Sequence, residues 1–316
     1  MPFPYNINNI ISRAKTDPKG FAHECEAIYN RKIAEVAATI MEKLTAVQNN
    51  TVLLSGPSAS GKTTTAKKIC DSLEKLGVKS HSISLDKYYL PIDPETVPRT
   101  ANGEVDRESP YCLDLDMLNK HLHDLNLGKE VIIPHFSFTN QVRDPKREMR
   151  LKLGADEIVV FEGIHALNDL LTNKHPEAFK LYISALSHII RDDDEICFYR
   201  HWVRLIRRIV RDNNFRGTDP TKTLKIWATV REGENKYILP FKHKADLQFD
   251  SSMEYELAVM KKFALKAIDM LPEDDRNAGE LQAILPVLNE LWDIDDSLVL
   301  GDSIIREFIG GGTYAY

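Results

Sequence analysis

The apolar positions of the chain form short runs and helical stripes that alternate through its first 250 residues. The runs TVLLS, KSHSISLD, EVIIPHFSF, EIVVFEG, FKLYISA and ADLQFDS predict strands, and most of the segments between them carry apolar residues at helical spacing. Strands that alternate with helices are typical of a parallel sheet with helices on both faces. We therefore predict a three-layer α/β/α fold with a parallel central sheet.

Helical patterning continues beyond this alternating region at both ends of the chain. Residues 18–47 carry apolar side chains at helical spacing, and the pattern after Glu254 is helical until a flexible-looking GGGTYAY end. We expect an N-terminal helical extension at 1–49, a catalytic domain at 50–252 and a C-terminal helical extension at 253–316. The apolar face of the last part predicts packing on the core or on a second subunit.

Charge and composition narrow the class of protein without identifying an activity. The 316 residues carry a net charge of −6, so any anion site must be local, and we expect neither nucleic acid nor membrane as a partner. The four cysteines include no CxxC pair, which favours thiols of a reducing compartment over disulfides or zinc. No run approaches the ~20 apolar residues of a membrane span. These features predict a soluble cytoplasmic protein.

The segment SGPSASGKTTT directly follows the predicted strand TVLL and fits the pattern G-x-x-x-x-G-K-[ST]. Its glycines let successive backbone N–H groups point at a phosphate, and the following helix adds its positive N-terminal end. Lys62 would reach the β and γ oxygens, and the Thr63 hydroxyl would hold Mg²⁺. We therefore expect ATP and Mg²⁺, with the nucleotide bound by Gly56, Ser58, Ala59, Ser60, Gly61, Lys62, Thr63 and Thr64.

Acidic residues at the ends of two predicted strands distinguish among the proteins that carry such a loop. A GTPase would need an N-K-x-D motif, whereas NKHP lacks the aspartate, and the LSGGQ-like signature of transport ATPases is missing. Asp86 ends the second strand, and Glu162 ends the strand IVVFE. A kinase that acts on a hydroxyl needs an acceptor for its proton, and Asp86 is the candidate. Thr63, Glu162 and Asp86 form the predicted metal site.

A basic segment from Arg191 to Asn214 predicts a helix, and a second helix is expected near 219–236. We interpret residues 191–236 as a lid over the phosphates, because a kinase needs cations around the transferred group. The alternative is an ordinary solvated helix face. Four arginines repeat at helical spacing along one face, and the last three are predicted catalytic residues: Arg200, Arg204, Arg208 and Arg211.

Together these motifs resemble the uridine kinase branch of the phosphoribulokinase and uridine kinase family of P-loop kinases. The resemblance covers about residues 51–252 and includes, in family order, GPSASGKTTT, SLDKYY, ESPYCLD, IPHFSF, VVFEGIHAL, RRIVRDNNFRG and ILPFKHKADLQFDS. The flanks look like a longer bacterial nucleoside kinase type, whose extra N-terminal region this chain is too short to include. Relatives are often oligomeric, so the resemblance also implies a homo-oligomer.

The resemblance implies an ATP-dependent kinase that phosphorylates the 5′-hydroxyl of a nucleoside, by default uridine or cytidine. Asp86 would be the base toward that hydroxyl, while Lys62, Thr63 and Glu162 would handle the triphosphate and metal. The implied acceptor-binding residues are Tyr89, Glu108, Phe136, Phe138, Gln141 and Arg204.

Three departures from the uridine kinase pattern leave the acceptor open. Gln141 stands where a histidine reads the pyrimidine, Arg107 stands where an aromatic residue is usual, and Thr218 replaces an arginine. One alternative is the same phosphoryl transfer to another nucleoside or to a sugar phosphate, as in phosphoribulokinase, since an arginine suits a charged acceptor. The other alternative is a nucleotide-binding regulator without turnover. Asp86 argues against it, because a pure sensor has no need of an acid on the acceptor side.

Overall fold

A computed structural model describes residues 3–100 and 102–315, in which strands and helices alternate along most of the chain. The strands are β1 Tyr5–Asn6, β2 Thr51–Ser55, β3 Ser80–Ser84, β4 Val131–Ile133, β5 Phe136–Ser137, β6 Val142–Arg143, β7 Met149–Leu151, β8 Ile158–Glu162, β9 Phe179–Ser184, β10 Ile189–Ile190, β11 Ile196–Phe198 and β12 Leu247–Asp250. The helices are α1 Ile7–Thr16, α2 Pro18–Val47, α3 Lys62–Lys75, α4 Leu115–Asn126, α5 Asp169–Thr172, α6 Arg200–Phe215, α7 Pro220–Tyr237, α8 Glu256–Ile268, α9 Glu273–Arg276, α10 Gly279–Glu290 and α11 Arg306–Ile309.

Five parallel strands form the central sheet in the order β12-β9-β2-β8-β3. Alternate residues of β2 face opposite sides, so Val52 and Leu54 belong to one hydrophobic core and Leu53 to the other. Helices α2, α3, α6 and α8 contribute to the first core, and α4 contributes to the second. The predicted three-layer α/β/α fold is therefore confirmed, and the carboxyl ends of β2, β3 and β8 meet at one edge of the sheet.

The segment EVIIPHFSF does not form one strand, as its apolar run predicts. β4 pairs with β7 and β5 pairs with β6, in two separate antiparallel ribbons outside the central sheet. Pro134 lies between β4 and β5, and a proline cannot donate a hydrogen bond to a sheet ladder. The chain therefore turns away at this point and carries Phe136 toward the carboxyl edge of the main sheet.

The predicted basic helix begins later than its charge pattern indicates. Residues 191–195 form a turn between β10 and β11, with Asp194 at a φ of +65°, and α6 starts at Arg200. Three consecutive aspartates favour this turn, because short acidic side chains compete for backbone hydrogen bonds. Most of α6 is buried, including Arg207 at 0% exposure, so the alternative of a solvated face is wrong.

The C-terminal extension packs on the chain's own core. Leu257, Met260 and Ala264 of α8 are at most 1% exposed. The GGGTYAY end is mostly exposed, but Thr313 N donates to Gly301 O at 2.8 Å and Tyr314 contacts Asp71. The flexibility expected of this end stays a prediction. In the described part of the chain, no helix combines the length and apolar character that crossing a membrane requires.

Candidate active site

The loop between β2 and α3 has the backbone conformation that a phosphate cradle needs. A side chain at Gly56 would meet the carbonyl oxygen of Ile183, which would lie 2.0 Å from its Cβ. Gly61 has a φ of +83°, and Ala59 has a φ of +57° although it is not a glycine. The loop thereby leads directly into the N-terminus of α3, where the first backbone N–H groups lack helical partners and favour an anion.

Arg207 of α6 holds the backbone of this loop in place through a set of hydrogen bonds. Its Nη2 donates to Ser251 O at 2.8 Å, its Nε donates to Glu256 Oε2 at 2.7 Å, and its Nη1 lies 3.4 Å from Ala59 O. The Ser251 hydroxyl donates to Ser60 O at 2.7 Å. Arg207 is thus an anchor for the loop backbone, a role that its position in the basic helix did not indicate.

A hydroxyl and a carboxylate meet at the carboxyl edge of the sheet, where Mg²⁺ is expected. Thr63 Oγ1 donates to Glu162 Oε1 at 3.2 Å, and Lys62 Nζ donates to Pro57 O at 3.0 Å. Burial raises the pKa of Glu162 to about 7, opposed by Lys62 and reinforced by Asp86. Residues 3–100 and 102–315 contain no group of three His, Cys, Asp or Glu side chains that could hold a metal ion alone. The pair still fits Mg²⁺, which usually completes its shell with phosphate oxygens and water.

Asp86 lies on a 3-10 turn that directly follows β3, so it opens onto the same cleft as Lys62. Desolvation by the cleft walls raises the pKa of its carboxyl, while Lys62, Arg216 and Arg211 oppose that shift. A carboxylate between cations, at the edge where the triphosphate loop begins, is suited to accepting a proton from a hydroxyl.

Asp212 organises three arginines along one wall of the cleft. It lies 3.3 Å from Arg208 Nε, accepts from Arg211 Nη2 at 3.0 Å, and lies 3.7 Å from Arg216 Nε. Arg208 also donates to the Ser58 hydroxyl of the phosphate loop at 2.8 Å. The predicted residue Arg208 is therefore held beside the phosphate loop, and Arg211 and Arg216 line the same cavity.

Aromatic rings and one carboxyl form the opposite end of the cleft. The Tyr89 ring lies 5.8 Å from that of Phe136 and 5.3 Å from that of Phe138, and the two phenylalanines are 5.1 Å apart. Burial raises the pKa of Glu108 to about 7, against the nearby positive charge of Arg208. Gly233 of α7 lets Glu108 pack closely, since a Cβ there would lie 2.4 Å from Glu108 Cβ.

One cavity of about 880 Å³ joins these two ends. Most of the predicted site residues line it, namely Ser58, Ala59, Gly61, Lys62, Thr63, Asp86, Tyr89, Glu108, Phe138, Glu162, Arg208 and Arg211. The lining does not include six other predicted site residues, namely Gly56, Ser60, Thr64, Phe136, Gln141 and Arg204. The lining also includes residues for which the sequence offered no role: Thr139, Gly163, Ile164, Phe215 and Glu307.

Comparison with known proteins is consistent with this site. The model of the phosphoribulokinase / uridine kinase family matches residues 52–258. The chain belongs to this family. The match confirms the resemblance drawn from the sequence motifs, and it spans the phosphate loop, both strand-end acids and the arginine helix.

The individual proteins that match this chain share modest sequence identity with it. A uridine kinase of Schizosaccharomyces pombe is 30% identical over 242 residues, 75% of this chain. The chain spans about half of that relative's length, 49%. A uridine kinase of Limosilactobacillus reuteri is 28% identical over 65% of this chain and 85% of its own. The solved structure of YFH7 from Saccharomyces cerevisiae is 12% identical, with a TM-score of 0.46 over 69% of this chain and 99% of that one.

Two of the departures from the uridine kinase pattern lie side by side. Arg107 Nη1 donates to Gln141 Oε1 at 3.4 Å, and Gln141 Nε2 donates to Phe138 O at 2.7 Å. Gln141 has a φ of +56° and is half-buried, Arg107 is exposed, and neither is among the residues that line the cavity. Gln141 does not line the cavity and its amide is bonded within the chain, so this structure does not place it where a base-reading residue would lie.

Arg204 does not reach the cleft, contrary to its predicted role at the phosphates and substrate. Its guanidinium makes two hydrogen bonds to Glu234, at 2.8 and 2.7 Å, and lies 5.6 Å from the Trp227 ring. Arg204 and Glu234 are both at most 2% exposed. The helical spacing that groups Arg204 with Arg208 and Arg211 predicts a shared face, but α7 covers the Arg204 part of that face.

Proposed function

We propose that this protein is a kinase that transfers the γ-phosphate of ATP, with Mg²⁺, to the 5′-hydroxyl of a nucleoside, by default uridine or cytidine. The observation that carries the proposal is the single cavity in which the phosphate loop and Asp86 face an aromatic, partly acidic end. Membership of the family supports phosphoryl transfer to a hydroxyl. The acceptor is the finer part of the proposal.

The predicted site residues that line the cavity then have distinct tasks. Lys62 and the backbone N–H groups of the loop would bind the triphosphate, and Thr63 with Glu162 would hold the metal, which neutralises phosphate charge when bound. Asp86 accepts the proton of the attacking hydroxyl. Arg208 and Arg211, oriented by Asp212, stabilise charge on the transferred group. Tyr89, Phe138 and Glu108 hold the acceptor.

A second candidate keeps this chemistry and changes the acceptor to a sugar phosphate or another nucleoside. It is favoured by the exposed guanidinium of Arg107, which directly precedes Glu108 of the cavity lining and can pair with a phosphate or another anion. Gln141, which lies against Arg107, would be its neighbour in such a contact.

The remaining expectations concern organisation and location. We infer a catalytic unit at 50–252 with helical extensions at 1–49 and 253–316, a lid at 191–236 that includes α6 and α7, a homo-oligomer, and a cytoplasmic location. The cytoplasmic location is supported by the cysteines, since free thiols are typical of a reducing compartment and all four are free: Cys25, Cys70, Cys112 and Cys197.

A substrate panel tests the proposed function. Purified protein with ATP and Mg²⁺ is offered uridine, cytidine, the purine nucleosides and phosphorylated sugars, and ADP release and the phosphorylated product are measured. We expect a nucleoside 5′-monophosphate from uridine or cytidine. Transfer to a sugar phosphate alone would replace the acceptor with the second candidate, and ATP binding without transfer to any compound would favour the regulator alternative.

A further inference from the structure

A carboxylate from the C-terminal extension occupies the N-terminus of the phosphate-loop helix. Glu307 Oε2 accepts from the Thr64 hydroxyl at 2.6 Å and lies 3.3 Å from the Thr64 backbone nitrogen. Thr64 is in the first turn of α3, directly after Lys62 and Thr63. Glu307 is buried and lines the same cavity as Asp86.

The segment around Glu307 is packed closely against the phosphate loop. Ile304 fills the space beside Gly61, so that a Cβ on this glycine would lie 2.1 Å from Ile304 Cδ1. Lys68 of α3 makes an ion pair with Asp302 at 2.5 Å. Arg306 Nη2 donates to Val299 O at 2.7 Å, which holds the segment from its own side.

The donors that Glu307 uses are those that a nucleotide phosphate requires. Backbone N–H groups at the start of such a helix cradle the phosphates nearest the nucleoside, while the lysine and the metal-binding threonine handle the outer ones. A carboxylate and a phosphate oxygen are both anionic acceptors, so they cannot share the N–H and hydroxyl of Thr64. Glu162 and Asp86 already add negative charge to the cleft, which increases the repulsion.

We propose that Glu307 is a built-in competitor of the donor nucleotide, and that its carboxylate must leave Thr64 before the phosphates bind. This inference rests on the proposed function for the identity of the donor. The C-terminal segment from Asp302 to Ala315 is thereby a strap across the donor site, and Glu307 sets the affinity for the nucleotide without taking part in phosphoryl transfer.

The test compares Glu307→Gln with the unmodified protein by titration calorimetry, using Mg²⁺ and ADP without an acceptor. Glutamine keeps the size of the side chain but removes its charge, so we expect ADP to bind about 10-fold more tightly, within the usual range of coupling between two sites. In turnover assays, KM for ATP should fall while kcat changes little. Glu273→Gln, on the exposed helix α9, is the matched control and should bind ADP like the unmodified protein.

A second measurement on the unmodified chain is independent of any effect of the substitution on folding. Trypsin cuts after arginine, and the Arg306 side chain is 12% exposed in the packed strap. ADP with Mg²⁺ should accelerate cleavage between Arg306 and Glu307 if the strap is displaced. Equal or weaker ADP binding by Glu307→Gln, together with unchanged cleavage, would overturn the inference and leave the kinase proposal standing. Absence of nucleotide binding in every variant would overturn both.

Discussion

Replacing Asp86 with asparagine should lower kcat by about 10²- to 10⁴-fold, the usual contribution of a positioned base. Asparagine has nearly the same size but cannot accept the proton of the acceptor hydroxyl. Lys62, Arg216 and Arg211, which face the carboxylate, remain in place, so the donor should still bind. The measurement is steady-state turnover with the acceptor found in the substrate panel, together with calorimetric binding of ATP and Mg²⁺.

A matched substitution separates loss of chemistry from loss of charge. Asp116 is exposed in the first turn of α4 and lies outside the cavity, so Asp116→Asn should leave both turnover and binding nearly unchanged. If Asp86→Asn turns over at close to the normal rate, Asp86 is not the base. If it loses ATP binding in proportion to activity, Asp86 serves the metal and donor instead.

The donor half of the site is readable from the sequence because its signals are local. Gly56 to Thr64 are contiguous, and the preceding buried strand and following helix place them at the edge of the sheet. Asp86 and Glu162 are also predictable, since the carboxyl ends of parallel strands meet at one edge. The same rule does not predict the position of Phe136, because this residue lies on a short antiparallel ribbon after Pro134 and not at the end of a strand of the central sheet.

Roles that depend on distant partners could not be derived in this way. The spacing of the arginines predicts a common helix face, but Arg204 finds Glu234 thirty residues later, and Arg207 finds Glu256 forty-nine residues later. Glu307 meets Thr64 across 243 residues, and no local pattern in the tail indicates that contact. Periodicity shows which side chains share a face, whereas the partners of that face are determined by how α7, α8 and the tail pack.

Replacing Arg204 with alanine should reduce the free energy of unfolding by about 3–5 kcal/mol, the usual cost of removing one partner from a buried ion pair. Glu234 is 1% exposed and would keep its charge without the two hydrogen bonds from Arg204. Arg231, 3.1 Å from Glu234, would compensate for part of the lost pairing. Urea unfolding measures the loss. Arg200→Ala, on the exposed start of the same helix, should change stability by less than about 0.5 kcal/mol.

A double substitution distinguishes this structural role from a role at the phosphates. Removing both charges with Arg204→Met and Glu234→Leu leaves no unpaired buried ion, so much of the lost stability should return. Because Arg204 lies outside the cavity, the double variant should retain most of its kcat once it is folded. A double variant that is stable but inactive would show that Arg204 is needed for catalysis. Its packing would then be intact while transfer of the phosphoryl group had failed.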